Sequence, residues 1–223
     1  MATPAGGEGA AVHYWLERVG GTAEPGDLAI LDDEERARAH RFSFERDRRR
    51  FVARRAFLRR VLAEYTGGAP ARIRYRKSPA GKPQLADVDG VAFSTSHADG
   101  LAIVAVATGG EVGVDIERIR AMPDALDIAG RFFTEHEAAH LSAIPGPMRS
   151  EAFLRLWTRK EAYVKALGHG LALPLDDFEV LEPVVPPSAR LWSVDVPDGY
   201  VASVAATAVT VAPVQRAQMK MAS

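Results

Sequence analysis

The sequence predicts an α+β fold built from two halves. Three observations carry that expectation: segments of helical period precede segments of strand period, this order occurs twice along 223 residues, and the two runs meet near residues 110–120. Alternating βαβ units would interleave helices and strands instead. No tight sequence repeat accompanies the doubled order, so a duplication is expected in structure only. The halves are expected over residues 11–110 and 111–215, with residues 1–10 a disordered Gly/Ala-rich lead and residues 216–223 a tail.

Residues 11–19, AVHYWLERV, read as the first strand. DDEERARAHRF follows, with Asp32 or Asp33 as N-cap of a charged helix. A second helix is expected from Asp47 to Tyr65, because Phe51, Phe57, Leu58, Val61 and Leu62 recur near helical spacing, and Gly67-Gly68 stops it. Short strands come next: IRYR, VAFSTS and LAIVAVA. Thr108-Gly109-Gly110 then signals a tight turn into EVGVDIE, which predicts an antiparallel hairpin between LAIVAVA and EVGVDIE.

Past Pro123, three helical segments are expected, DALDIAGRFF, TEHEAAHLSAI and SEAFLRLWTRKEAYVKALG, the last ended by Gly168 and Gly170. Strands DFEVLE, ARLWSVDV and YVASVAATAV close the second half, around a Pro-rich connection, VVPPS.

Composition narrows the function. The net charge of −1 argues against general affinity for nucleic acid. It is unevenly spread: eleven arginines between Arg36 and Arg60 face only Glu45 and Asp47. The belt reads either as a solvated helix face or, since guanidinium forks suit phosphate, as a site of anion capture, and a net charge near zero suits one anionic ligand better than a nucleic-acid groove. The absence of cysteine excludes a disulfide framework, a thiolate zinc site and a cysteine nucleophile. No apolar run approaches the ~18 residues of a membrane span, and the first residues lack the pattern of a signal peptide, so the expected setting is the cytoplasm.

Four constellations could carry chemistry. In G-V-D-I-E (113–117), strand alternation puts Asp115 and Glu117 on one face and Val114 and Ile116 on the other. Paired carboxylates repel unless a cation neutralises them, and a hard divalent ion such as Mg2+ suits oxygen ligands beside phosphate. The alternative is a wet face balanced by Arg118 or Arg120. In W-T-R-K-E-A-Y-V-K (157–165), Glu161 and Lys165 share a helical face, as an exposed i,i+4 pair or as a carboxylate and ammonium for metal, proton or phosphate. G-K-P (81–83) and S-T-S-H (94–97) offer a tight turn and, in Ser96 and His97, two phosphate-compatible side chains. Ser96 lacks the elbow of a serine hydrolase, and a structural role for His97 stays open.

HEAAH (136–140) spells a zinc-protease pattern, with His136 and His140 as ligands, Glu137 as base and Glu161 downstream as a third ligand. Thr134 and Glu137 also form a capping box, which puts the pattern at a helix start and its histidines on the surface.

Taken together, G-V-D-I-E, F-F-T-x-x-E, W-T-R-K-E-A-Y-V-K-A-L-G-H-G-L, G-K-P, S-x-S-H and the arginine-rich helix resemble the 4′-phosphopantetheinyl transferase superfamily, Sfp type, over residues 28–181. The resemblance implies a pseudo-dimer of two similar α+β halves with the active site between them. It implies transfer of the 4′-phosphopantetheine arm of coenzyme A to a serine of an apo acyl or peptidyl carrier protein, releasing adenosine 3′,5′-bisphosphate. By motif position, Asp115, Glu117 and Glu161 would hold Mg2+, and Glu161 would take the serine proton. Lys165 would stabilise pyrophosphate charge; Lys82 and Pro83 would line the adenine side; Ser96, His97 and Arg50 would contact phosphates, with Arg38 a looser candidate. Glu35 and Phe51 depart from the family pattern at the nucleotide end. A monomer acting in secondary metabolism, on polyketide or nonribosomal-peptide carriers, is the expected setting. The competing functions are a zinc metallopeptidase built on HEAAH and a non-catalytic coenzyme A-binding protein.

Overall fold

The structure is a computed structural model and describes residues 11–19, 26–168, 173–182, 188–207 and 215–217. The expected disorder of residues 1–10, most of the tail, Gly170 and most of the VVPPS connection lie outside the described residues.

The doubled order is present. In the first half, β1 (Val12–Arg18) leads to α1 (Asp33–His40) and α2 (Glu45–Thr66). The short pair β2 (Tyr75–Lys77) and β3 (Pro83–Leu85) comes next, then β4 (Val91–Ala98) and β5 (Leu101–Thr108). In the second half, β6 (Val112–Arg118) leads to α3 (Ala125–Phe132), α4 (Glu135–Ala143) and α5 (Gly146–Leu167), then β7 (Arg190–Ser193) and β8 (Tyr200–Ala206). The sheets are ordered β4-β5-β1 and β7-β8-β6, so each half pairs its first strand antiparallel with its last. A two-residue strand, β9 (Gln215–Arg216), adds to the first sheet beside β1 in parallel.

Burial stacks the halves as helix, sheet, sheet, helix. One face of β5, through Ala102, Val104 and Val106, packs on Phe57, Leu58, Val61 and Leu62 of α2. Its other face, through Ile103, Ala105 and Ala107, meets Val114, Ile116 and Val204 of the second sheet. Beyond that sheet, Val201 and Ala205 share a core with Phe153, Leu154, Ala162 and Ala166 of α5. Two buried faces explain why LAIVAVA is a continuous apolar run, whereas β6 alternates. Both long helices end on a left-handed glycine, Gly67 (φ 66) and Gly168 (φ 71). Capping boxes start α1 (Asp32 with Glu35) and α4 (Thr134 with Glu137).

Two expectations are corrected. LAIVAVA and EVGVDIE form no hairpin: β5 already has β1 and β4 on its two edges, so β6 joins β8 in the other sheet. The hairpin is instead β4–β5, closed by Asp99-Gly100 with φ of 45° and 83°. Asp-Gly is the dipeptide that a two-residue turn of this hand favours, and it was legible in the sequence. DFEVLE forms no strand either: Leu175–Asp177 is a 3-10 turn, and the residues after it are irregular. Its backbone is satisfied by side chains in place of a ladder. Lys160 Nζ donates to the carbonyls of Leu175 (2.6 Å) and Phe178 (2.8 Å), Arg159 Nε donates to that of Val180 (2.7 Å), and the Val180 amide donates to Glu137 (2.9 Å).

Candidate active site

Strand alternation sets the site. Val114 and Ile116 enter the core between the sheets, so Gly113, Asp115 and Glu117 face α5. A Cβ at Gly113 would lie 1.9 Å from the Ala162 carbonyl oxygen and 2.4 Å from the Ala166 nitrogen. The absence of a side chain therefore lets the helix lie directly on the strand. That contact brings Glu161 and Lys165 of α5 to Asp115 of β6: Lys165 Nζ donates to Asp115 Oδ1 at 2.8 Å and to the Val114 carbonyl at 3.2 Å. Lys165 thus pairs with Asp115, where the i,i+4 spacing pointed to Glu161.

From the other sheet, β4 runs beside β6 and is tied to it by two serines. Ser94 Oγ accepts from the Val114 amide (3.2 Å), and Ser96 Oγ donates to Asp115 Oδ1 (2.8 Å). Asp115 is buried, and its Oδ2 is inaccessible without a hydrogen-bond partner. Burial raises its pKa above the ordinary carboxylate value; Lys165 and Ser96 pull it back and Glu117 pushes it up. Glu161 is raised by burial too, with Lys165 lowering it and Asp115 and Glu117 raising it. Glu117 is ion-paired with Arg120 at 2.8 Å.

Residues of β4 connect this centre to a cavity of about 500 Å³ whose lining includes Arg38, Arg54, Tyr75, Gly81, Pro83, Ser96 and His97. A second cavity of about 380 Å³, with Arg50, shares Arg54 and His97 with it. Most arginines of α2 are spent on carboxylates: Arg48 and Arg49 on Glu45, Arg55 on Glu35, Arg59 on Glu35 and Asp32, Arg60 on Asp27. Among the described residues Arg38, Arg50 and Arg54 form no ion pair within 4 Å, and all three line the cavities. Burial lowers the Arg54 pKa, and the neighbouring cations Arg50 and Arg38 add to the effect. His97 is lowered by desolvation first, then by Arg54 and Lys165, although the residue stands at the exposed rim. Unpaired like charges at one cavity call for an anion.

The expected residues therefore divide. Asp115, Glu117, Glu161, Lys165 and Ser96 come together; His97, Arg50 and Pro83 line the adjoining cavities. Lys82 belongs to the same turn, but its ammonium points to the junction of the halves, bonded to Glu111 (2.7 Å), the Val112 carbonyl (3.0 Å) and the Lys165 carbonyl (2.8 Å). Arg54 was missed; its i,i+4 relation to Arg50 was the available signal. Glu35 is a buried partner of Arg55 and Arg59, which accounts for an acid in the basic belt.

HEAAH contributes no metal site. Glu137 is fully buried, with Lys160 Nζ at 2.7 Å and the amides of Thr134 (3.0 Å) and Val180 (2.9 Å) on its oxygens. His136 and His140 are exposed, and the charges that perturb Glu161 are Lys165, Asp115 and Glu117.

Mg2+ can be tested against the donor set. The orphaned Asp115 Oδ2 and two neighbouring carboxylates, Glu117 and Glu161, are the hard oxygen donors such an ion takes. Among the described residues, no three acidic or histidine side chains already gather around one point, and the Lys165 ammonium stands on Asp115. The donor chemistry fits once Lys165 gives way.

A cavity of unpaired guanidiniums leading to carboxylates and a lysine defines a site for phosphate-group chemistry. Comparison with known proteins agrees. Residues 111–207 match the family model described as the 4′-phosphopantetheinyl transferase superfamily, and residues 26–109 match that of the 4′-phosphopantetheinyl transferase N-terminal region. The chain belongs to the 4′-phosphopantetheinyl transferase superfamily, Sfp type, and is a transferase. It is 38% identical over 172 residues to the 4′-phosphopantetheinyl transferase HetI of Nostoc sp., covering 74% of this chain and 72% of that one. It is 32% identical over 178 residues to a 4′-phosphopantetheinyl transferase of Bacillus subtilis (78% and 74% covered). Sfp of Bacillus subtilis is 31% identical over 153 residues (69% and 67%).

Proposed function

We propose that this transferase moves the 4′-phosphopantetheine arm of coenzyme A to a serine hydroxyl of an apo acyl or peptidyl carrier protein, with Mg2+ as the metal. The observation that carries the reading is Asp115, a buried carboxylate with one orphaned oxygen, set between Lys165 and the cavity of unpaired arginines.

The halves over 11–110 and 111–215 then divide the work. The first supplies the anion contacts Arg50, Arg54 and His97, with Ser96 joining them once its hydroxyl turns from Asp115, and, through Gly81 and Pro83, a cavity wall; the second supplies the acidic centre. Asp115, Glu117 and Glu161 would hold Mg2+, which as a Lewis acid supplies charge stabilisation for the phosphoanhydride. Glu161 takes the proton of the incoming serine directly or through water. The serine oxygen forms a bond to the phosphorus that carries pantetheine. The bond from that phosphorus to the bridging oxygen breaks, and adenosine 3′,5′-bisphosphate leaves with the electron pair. Lys165, released from Asp115, neutralises the growing phosphate charge. The proposed setting is the cytoplasm, as a monomer, on carrier domains of secondary-metabolite synthesis. Among the described residues no helix is long and apolar enough to cross a membrane.

The test is mass spectrometry of an apo carrier domain incubated with the protein, coenzyme A and Mg2+. The carrier is expected to gain one phosphopantetheine, and Asp115→Ala to abolish the gain while the circular dichroism spectrum stays native. Transfer retained in Asp115→Ala would remove Asp115 from the mechanism; no gain with several carriers would overturn the reading.

A further inference from the structure

We infer that Lys82 is a positioning residue: its ammonium fixes the wall of the coenzyme A cavity to the strand and helix that carry the carboxylate–lysine centre, and does not touch the ligand. The inference rests on the proposed function of that site.

The backbone of Lys82 belongs to the cavity side. Its neighbours Gly81 (φ 84°) and Pro83 both line the large cavity. The turn is closed by the Ser78 amide on the Lys82 carbonyl (2.8 Å) and by the Lys82 amide on Ser78 Oγ (3.1 Å). The side chain is absent from the lining of the large cavity and borders instead a smaller one of about 290 Å³ beside Lys165 and Gly168. It is 14% exposed, and its Nζ meets Glu111 Oε2, the Val112 carbonyl and the Lys165 carbonyl. An ammonium has three protons, and three acceptors at 2.7–3.0 Å use all of them, so none remains for a phosphate.

The acceptors explain the role. Val112 lies three residues before Asp115 on β6, and Lys165 is the residue whose side chain binds Asp115. The Lys165 carbonyl is among the last four of α5, where helix carbonyls lack an intrahelical donor and the dipole favours a cation. One side chain of the first half therefore holds both elements of the acidic centre in register with the turn against which the ligand lies. A shift of ~1 Å between reacting groups costs on the order of 100-fold in rate.

The experiment compares wild type, Lys82→Met and Lys82→Arg by calorimetric titration of coenzyme A and by transfer kinetics at a temperature well below each melting point. For Lys82→Met, kcat is expected to fall about 10- to 100-fold while the coenzyme A dissociation constant stays within about threefold. Lys82→Arg is expected to recover part of kcat, because its planar fork keeps the charge but cannot meet three acceptors converging from different directions. A purely structural role would add independently to loss of the lysine on α5. Positioning predicts instead that Lys82→Met costs no more than about threefold further in a Lys165→Ala background.

A coenzyme A constant weakened tenfold with kcat kept would make Lys82 a ligand contact and overturn the inference, as would wild-type kcat in Lys82→Met or full additivity with Lys165→Ala. Should Lys82→Met not fold, Lys82→Arg decides alone: lowered kcat at an unchanged constant supports positioning, and any other result overturns it. Absence of transfer by the wild type would instead be a failure of the proposed function.

Discussion

At the scale of residues, the site is a set of charges waiting for opposite charge. His97 is held below its ordinary pKa by desolvation and by the cations Arg54 and Lys165. A phosphate bound between Arg54 and His97 would reverse the local sign and raise that pKa. Binding of coenzyme A should therefore take up a proton as pH falls through the range between the free and the bound His97 values. Calorimetry in buffers of different ionisation enthalpy reads this directly, and the uptake should vanish in His97→Gln; uptake unchanged in that variant would place the proton elsewhere. Strand and helix periods placed Asp115 on one face of its strand and Glu161 and Lys165 on one face of their helix, and the structure shows that these two faces meet. The spacing of Arg54 from Arg50 was legible, but its lack of an ion pair was not, because only the structure shows which arginines are paired with Glu35, Glu45, Asp27 and Asp32.

At the scale of elements, the contact of α5 with β6 makes the centre. It depends on Gly113, where any Cβ would penetrate helix backbone rather than a movable side chain. Gly113→Ala should lower stability by about 1–3 kcal/mol, as overpacking does, and reduce transfer by pushing Glu161 and Lys165 away from Asp115. Thermal melts and kinetics on the same preparation check both effects, and a wild-type melting point would mean that the helix can yield. The sequence shows a glycine in G-V-D-I-E but not its purpose, since the helix it meets begins 33 residues later. The opposite lesson comes from Thr108-Gly109-Gly110. Its turn signal was real, yet the strands beside it belong to different sheets. Their pairing was decided by edges already occupied, a fact no local signal contains.

At the scale of the molecule, the two halves share one core. Val12, Ile103 and Ala105 of the first sheet are buried with Val114, Ile116 and Val204 of the second, so either half alone would expose that face to water. The whole chain should unfold in a single calorimetric transition with matching van't Hoff and calorimetric enthalpies. Two resolved transitions would show that the halves are independent units. The same shared core keeps β4 beside β6, and so keeps Ser96 on Asp115 across the junction.

By itself the sequence determined what acts over short range: the helix caps at Thr134 and at Asp32 or Asp33 (Asp32 in the structure), the stops at Gly67 and Gly168, the alternation that puts Asp115 and Glu117 on one face, and the motif set of the family. These follow from backbone geometry and from neighbours within about one helical turn. Only the tertiary structure decided the partner of β6, the irregular course of residues 178–182, the arginines left for an anion and the acceptors of Lys82 and Lys165. Each of these depends on which edges, carbonyls and charges remain unsatisfied after distant segments have packed, and that remainder exists only in the assembled fold.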